Sequence, residues 1–144
     1  MFPFPFGFIG SGEVIPDLEL ISNDYALEFN GTDEYVSAGN DSSLNITDNL
    51  SVSAWIRTTD NGLQTIVNKD QAVGTRIWNL AMGLGTISFQ VRLGGVATTA
   101  SSATDLSDGV WHHVVGTYAP STEVKIYIDG VLADTESASI PASL

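Results

Sequence analysis

The 144-residue chain carries 17 acidic against 5 basic residues, a formal charge of −12, with 43 % hydrophobic residues, 14 glycines and no cysteine. That length suits one domain with a real core and falls short of two, while the charge repels phosphate backbones and anionic lipid, arguing against nucleic-acid and membrane partners and leaving divalent cations and neutral glycans compatible. Without cysteine there is no disulfide framework or thiolate metal site, and no apolar run approaches the length of a membrane span.

The chain opens on MFPFPFGFIGSG, in which Phe2, Phe4, Phe6 and Phe8 recur at period two between prolines that favour an extended backbone. A flat ribbon would place all four rings on one side. Rings so arrayed are an association hazard in water, so the arm is expected to be buried, either against its own domain or in a partner assembly. Gly10-Ser11-Gly12 would be the joint. The stretch lacks a basic n-region and is broken by Pro3, Pro5 and Gly7, so it does not read as a secretory signal. Residues 13–24 read as a connector, which gives an arm and connector over 1–24 and a folded domain over 25–144.

From Tyr25 the alternation of Tyr25, Leu27 and Phe29 with Ala26 and Glu28 predicts a strand closed by Asn30-Gly31, with Tyr35 to Ala38 as its neighbour. A polar loop over 40–49 follows, with Leu44 and Ile46 as core anchors. In Leu50 to Arg57, Leu50, Val52, Ala54 and Ile56 share one face; Ser51, Ser53, Trp55 and Arg57 share the other. Trp55 with Arg57 can present a stacking platform to a sugar or form the second buried face of a sandwich strand, and the buried role is preferred because tryptophan is usually well covered. Leu63 to Asn68, Arg76 to Met82 and Thr86 to Leu93 read as further strands, and Val96 to Ala103 as a lightly packed one. Trp111 to Tyr118 is aromatic and β-branched, with Trp111, His113, Val115 and Thr117 on one face and Trp111 assigned to the core. Ala119-Pro120-Ser121-Thr122 interrupts it. Val124 to Ile128 alternates cleanly, and Asp129-Gly130 supplies the positive φ angles of a two-residue hairpin before Val131 to Asp134 returns. No helical period of useful length occurs, so the fold class is all-β, a sandwich or jelly roll.

The string DGVWHHVVGTY followed by VKIYIDGVL, preceded by ALEFNGTDEYVSAG at 26–39 and LSVSAWIRT at 50–58, resembles the signature of laminin-G-like domains, in the concanavalin A-like lectin and glucanase superfamily. The resemblance covers residues 25–135. It implies an antiparallel jelly-roll sandwich that binds glycans or protein surfaces, without fixing the ligand. It also implies several strands beyond Asp134, where this chain has only TESASIPASL, so the expectation is a portion of a longer protein. The segment IRTTDNGLQTIVNK resembles the pentraxin stretch in which an Asp-Asn pair ligates calcium. Asp60 and Asn61 are thereby the implied metal ligands, oxygen donors suited to a hard cation; the plain alternative is that Asp60-Asn61-Gly62 is only a turn.

Glycoside hydrolysis needs two carboxylates across the scissile bond. The Glu-x-Asp-x-x-Glu type motif of the glucanases is absent, and Asp33-Glu34 and the Asp17, Glu19 pair fall in loop and connector. His112 and His113 are adjacent in a strand, hence on opposite faces, and cannot chelate one metal together. The reading is a non-enzymatic, surface-displayed structural or adhesion protein: a phage virion decoration or fibre component, docked to a capsid by Phe2, Phe4, Phe6 and Phe8, with a glycan as outward ligand. The alternative is a carbohydrate-binding domain of a larger secreted protein.

Overall fold

The computed structural model describes residues 25–72, 75–93, 96–142 and 144; the Phe2–Phe8 arm and the connector lie outside these. Two units are described separately. In residues 25–36 the FNGTDE stretch makes a turn closed by its own side chains. Asn30 Oδ1 accepts from the amides of Thr32 at 2.9 Å and Asp33 at 3.2 Å, Asn30 Nδ2 donates to Asp33 Oδ1 at 2.8 Å, and the Asn30 amide donates to Glu34 Oε2 at 2.7 Å. The strands expected at Tyr25–Phe29 and Tyr35–Ala38 are not formed. Alternation prepares a segment for a sheet, but a strand exists only where a ladder takes its backbone groups.

Residues 37–144 form two antiparallel sheets. β1 (Leu50–Ile56), β6 (His112–Ala119), β7 (Glu123–Ile128) and β8 (Val131–Glu136) lie in the order β1-β6-β7-β8. The second sheet runs β2 (Gln64–Ala72), β3 (Thr75–Gly83), β4 (Thr86–Leu93) and β5 (Val96–Ser101) in sequence order. Among the described residues the one helical element is a 3-10 turn at Ser42–Leu44, capped by Asp41. The all-β sandwich expected from the alternation is the fold observed. The Asp129-Gly130 hairpin is also as expected, with φ of 51° and 80°, the paired positive angles that match strand twist.

The core is set by period two. Ile87, Phe89 and Val91 of β4 face Val114, Gly116 and Tyr118 of β6 and Val124, Ile126 and Ile128 of β7, all buried or nearly so. The sheets meet closely where the Phe89 ring lies on Gly116: a Cβ built there would sit 2.3 Å from Phe89 Cγ. Two further ties close the sandwich. Asp134 of β8 accepts the Ser101 amide of β5 at 2.8 Å, linking an edge of each sheet. The Pro141 carbonyl accepts from the buried Tyr118 hydroxyl at 2.7 Å and the Ser121 amide at 2.9 Å, so the 137–144 segment returns over the core with Ile140 packed on it.

The assignment of Trp111 to the core is corrected: it is 42 % exposed. The inner face of β6 belongs to Val114, Gly116 and Tyr118, and alternation then sends 111, 113, 115 and 117 outward.

Gly116→Ala puts a methyl group into the Phe89 ring and should cost about 1–3 kcal/mol, the usual toll of overpacking a filled core. Urea unfolding would show it as a lower midpoint at unchanged m. An unchanged midpoint would mean that the sheets do not meet as closely as described.

Candidate functional site

The outer face of the β1-β6-β7-β8 sheet carries an aromatic group built by strand register. Trp55 of β1 lies directly opposite His113 of β6, and their rings stack with centroids 5.0 Å apart and planes at 24°. One step further along, the Arg57 guanidinium stands over the Trp111 ring at 5.2 Å, a cation–π contact. Trp55 is 63 % exposed, so the buried-strand role preferred for it from sequence is overturned and the platform geometry is what the fold presents. Ser53 and Val115 pair in the next row, with Tyr127 beyond Val115. Two indoles and an imidazole with apolar ring faces, edged by a guanidinium and a hydroxyl, can stack a flat ligand and hydrogen-bond its rim.

Behind the platform, His112 points the other way and is held by two carboxylates. Its Nδ1 lies 2.8 Å from Asp129 Oδ2 and its Nε2 lies 3.2 Å from Asp108 Oδ1. Asp129 Oδ1 also accepts the His113 amide at 2.8 Å, and the Asp129 amide donates to the His113 carbonyl at 2.8 Å. The aspartate of the tight turn is thus bonded to both histidines of the HH pair. Asp108 Oδ1 accepts the Val110 amide at 2.9 Å, and the Gly109 amide donates to the Thr58 carbonyl at 2.9 Å. These bonds fix the chain on both sides of Trp111. Hydrogen bonding to Asp129 and then to Asp108 holds the His112 pKa above the usual 6.5. Asp129 is held below 3.8 by His112 first and the His113 amide second, and Asp108 below 3.8 chiefly by the Val110 amide. The two histidines do face opposite sides, as their adjacency in a strand implies, and the carboxylates that hold His112 come from separate turns.

Asp60 and Asn61 sit in the β1–β2 connection. Asp60 Oδ1 accepts the Gly62 amide at 2.7 Å, its main-chain carbonyl accepts Gln64 Nε2 at 2.9 Å, and the Asn61 carbonyl accepts the Gly85 amide at 3.1 Å. The turn composition accounts for these bonds. Among the described residues no three His, Cys, Asp or Glu side chains converge as a metal-holding group, and calcium takes six to eight oxygens, so these two donors alone do not make its cage. At another side of the sandwich a cleft of about 340 Å³ is lined by Leu44, Ile46, Trp78, Leu144 and polar residues including Lys69, which donates to Asn40 Oδ1. Leu44 and Ile46 line this cleft while 37 % and 39 % exposed, so they anchor the loop only in part.

The sequence profile described as the concanavalin A-like lectin/glucanases superfamily, of laminin-G type, matches residues 30–143. The chain belongs to this family. No individual curated protein matches the sequence. Among solved structures, domains LG4-5 of the mouse laminin alpha1 chain superpose with a TM-score of 0.58 at 24 % identity over 72 % of this chain and 27 % of that one. The ligand-binding domain of botulinum neurotoxin serotype D, in complex with N-acetylneuraminic acid, gives 0.57 at 22 % identity over 72 % and 28 %. The binding domain of Paraclostridial Mosquitocidal Protein 1 gives 0.53 at 14 % over 72 % and 29 %. The chain thus spans less than a third of the length of each of these structures. The laminin-G-like resemblance of the WHHVVGTY and YIDG segments is confirmed, and those segments are the His112–Asp129 clamp and the strands it joins.

Because His112 is raised, its contribution to stability is full below the unfolded value near 6.5 and lost as pH rises through its folded value; the depressed aspartates contribute above 3.8 and lose that as pH falls. The clamp is therefore strongest in weakly acidic solution. Its imidazole should titrate by NMR with a midpoint above 6.5, and thermal unfolding should come later at pH 5.5 than at pH 8.5, by a margin that shrinks in His112→Gln. A midpoint at or below 6.5 would refute the clamp.

Proposed function

We propose that the protein is a non-enzymatic, surface-displayed binding module that takes a glycan on the outer face of β1 and β6. One observation carries this reading: Trp55 and Trp111 are 63 % and 42 % exposed on the same face, pinned by His113 and Arg57 rather than covered by packing. Leaving large aromatic surface in water is unfavourable, and where it is held rigid with polar groups at its rim it suits a ligand with one apolar face and a hydroxylated edge. A pyranose has both. The formal charge of −12 favours neutral sugars over polyanions. The serotype D toxin ligand-binding domain, 28 % of which superposes on this chain, was solved in complex with N-acetylneuraminic acid, so a protein that contains this fold takes a sugar ligand.

Trp55→Ala should leave thermal stability nearly unchanged, since the ring is mostly solvated, and should weaken retention on the glycan bound by the native protein at least about tenfold, equivalent to about 1.4 kcal/mol. A glycan array on the native chain, followed by titration of the variant, makes the test. If no immobilised glycan is retained, or the variant binds as the native chain does, the platform is not the site.

The setting is inferred from sequence pattern: the module belongs on a virion surface, docked to a capsid or fibre assembly by Phe2, Phe4, Phe6 and Phe8 at the head of the 1–24 segment, with 25–144 as the displayed domain. Light scattering of the full chain beside one beginning at Glu13 tests the arm. Association by the full chain and a folded monomer from the shorter one are expected; two identical monomers would leave the arm without a docking role.

A further inference from the structure

The chain contains two Asn-Gly pairs, Asn30-Gly31 and Asn61-Gly62, and their surroundings differ. Asparagine is thermolabile, most of all before glycine, whose nitrogen has no neighbouring Cβ to shield it from the preceding carboxamide. In the reaction the glycine nitrogen bonds to the asparagine Cγ, Nδ2 leaves as ammonia and a succinimide ring remains. No cofactor takes part. The difficult step is loss of the amide proton, since a peptide nitrogen is a poor nucleophile until a base receives it.

At Asn61-Gly62 both ends of the reacting peptide group are held by groups that favour this step. The Gly62 amide donates to Asp60 Oδ1 at 2.7 Å, so a carboxylate stands within general-base reach of the proton that must leave. At the other end the Asn61 carbonyl accepts the Gly85 amide at 3.1 Å, and a donor there stabilises the negative charge that develops as the nitrogen gives up its proton. Asp60 is itself fixed. Its amide donates to Thr58 Oγ1 at 3.0 Å, and its carbonyl accepts Gln64 Nε2 at 2.9 Å. The carboxylate lies so close over residue 62 that a Cβ there would stand 3.0 Å from Asp60 Oδ1. Asn61 is exposed, so water reaches the ring that forms. Asn30 is exposed too, but its carboxamide is engaged on both atoms, by the Thr32 and Asp33 amides and by Asp33 Oδ1. Those bonds must break before its Cγ can turn to Gly31, and the Glu34 carboxylate there takes the amide of Asn30 rather than that of Gly31.

We propose that Asn61 is a self-modifying site, at which Asp60 promotes closure onto Gly62 and water then opens the ring to aspartate or isoaspartate. The proton taken by Asp60 leaves with the ammonia, which regenerates the carboxylate. Water cleaving the bond from nitrogen to Cγ restores the normal main chain with an aspartate side chain. Cleavage at the main-chain carbon leaves Gly62 joined through Cγ, which lengthens the backbone by one carbon and turns the carbonyl that holds Gly85 into a free carboxylate. Either product adds a negative charge to the β1–β2 connection. The test incubates the full chain at mildly alkaline pH, native and in urea, and follows both asparagines by peptide mass spectrometry, with isoaspartate separated from aspartate by retention. In the native chain Asn61 should react at least about tenfold faster than Asn30, a modest share of what a positioned base contributes; in urea the two rates should converge. Asp60→Ser, which keeps an acceptor for the Gly62 amide but no base, should slow Asn61 at least about tenfold and leave Asn30 unchanged. A native ratio near one, the same ratio in urea, or an Asn61 rate untouched by Asp60→Ser would each overturn the proposal.

Discussion

The contact of Phe89 with Gly116 governs the rest of the sandwich. There the two sheets touch so closely that only a residue without a Cβ admits the ring. With that contact made, β4 and β6 each have one face committed, because side chains alternate strictly along a strand. Phe89 inward sends Gln90 outward; Gly116 inward sends His113 and Val115 outward. Both outer surfaces, the aromatic one over β1 and β6 and the polar one over β3 and β4, are therefore consequences of how the core closes.

The turns then convert faces into geometry. The paired positive φ angles of Asp129-Gly130 return the chain tightly enough for the Asp129 carboxylate to reach two consecutive residues of β6, the His112 ring and the His113 amide. Since His112 is also bonded to Asp108, the connection before β6 is tied to the turn after β7, and Trp111 lies between the tied points. An exposed tryptophan normally has rotamer freedom that a ligand must remove at a cost in entropy. Here Arg57 stands over one indole and His113 stacks on the other, so part of that cost is already met in the unliganded protein.

Much of this was legible in the sequence. The strands from Leu50 onward announce themselves by alternation, by Asp-Gly and Pro-Ser turns, and by the WHHVVGTY and YIDG segments. What alternation cannot state is which face is inside. In β6 both faces carry apolar or aromatic residues, and assigning Trp111 to the core chose the outer one; the inner face is that of Val114, Gly116 and Tyr118. The same limit applies to Trp55, whose exposure depends on what covers β1. Tyr25 to Phe29 shows the converse error, a correct period without a ladder. The His112 clamp had a readable part, the aspartate of the turn, but its second carboxylate comes from a loop whose fold is set by Leu106 packing inward and its amide bonding to the Gly85 carbonyl, a long-range fact.

The two outer faces also illustrate why buried and exposed are poor labels for function unless the chemistry of the residue is added. Trp55 is apolar and in water; Asn79 is polar and out of it. Each runs against the preference of its side chain, and each lies on a sheet whose inner face is conventionally packed. A sequence under pressure only for stability would exchange such residues, placing a threonine or lysine at 55 and an alanine or valine at 79 with little change to the core between them. For Trp55, whose large apolar ring is 63 % exposed above a conventionally packed inner face, the cost of that ring in water is the physical ground for the proposed binding surface.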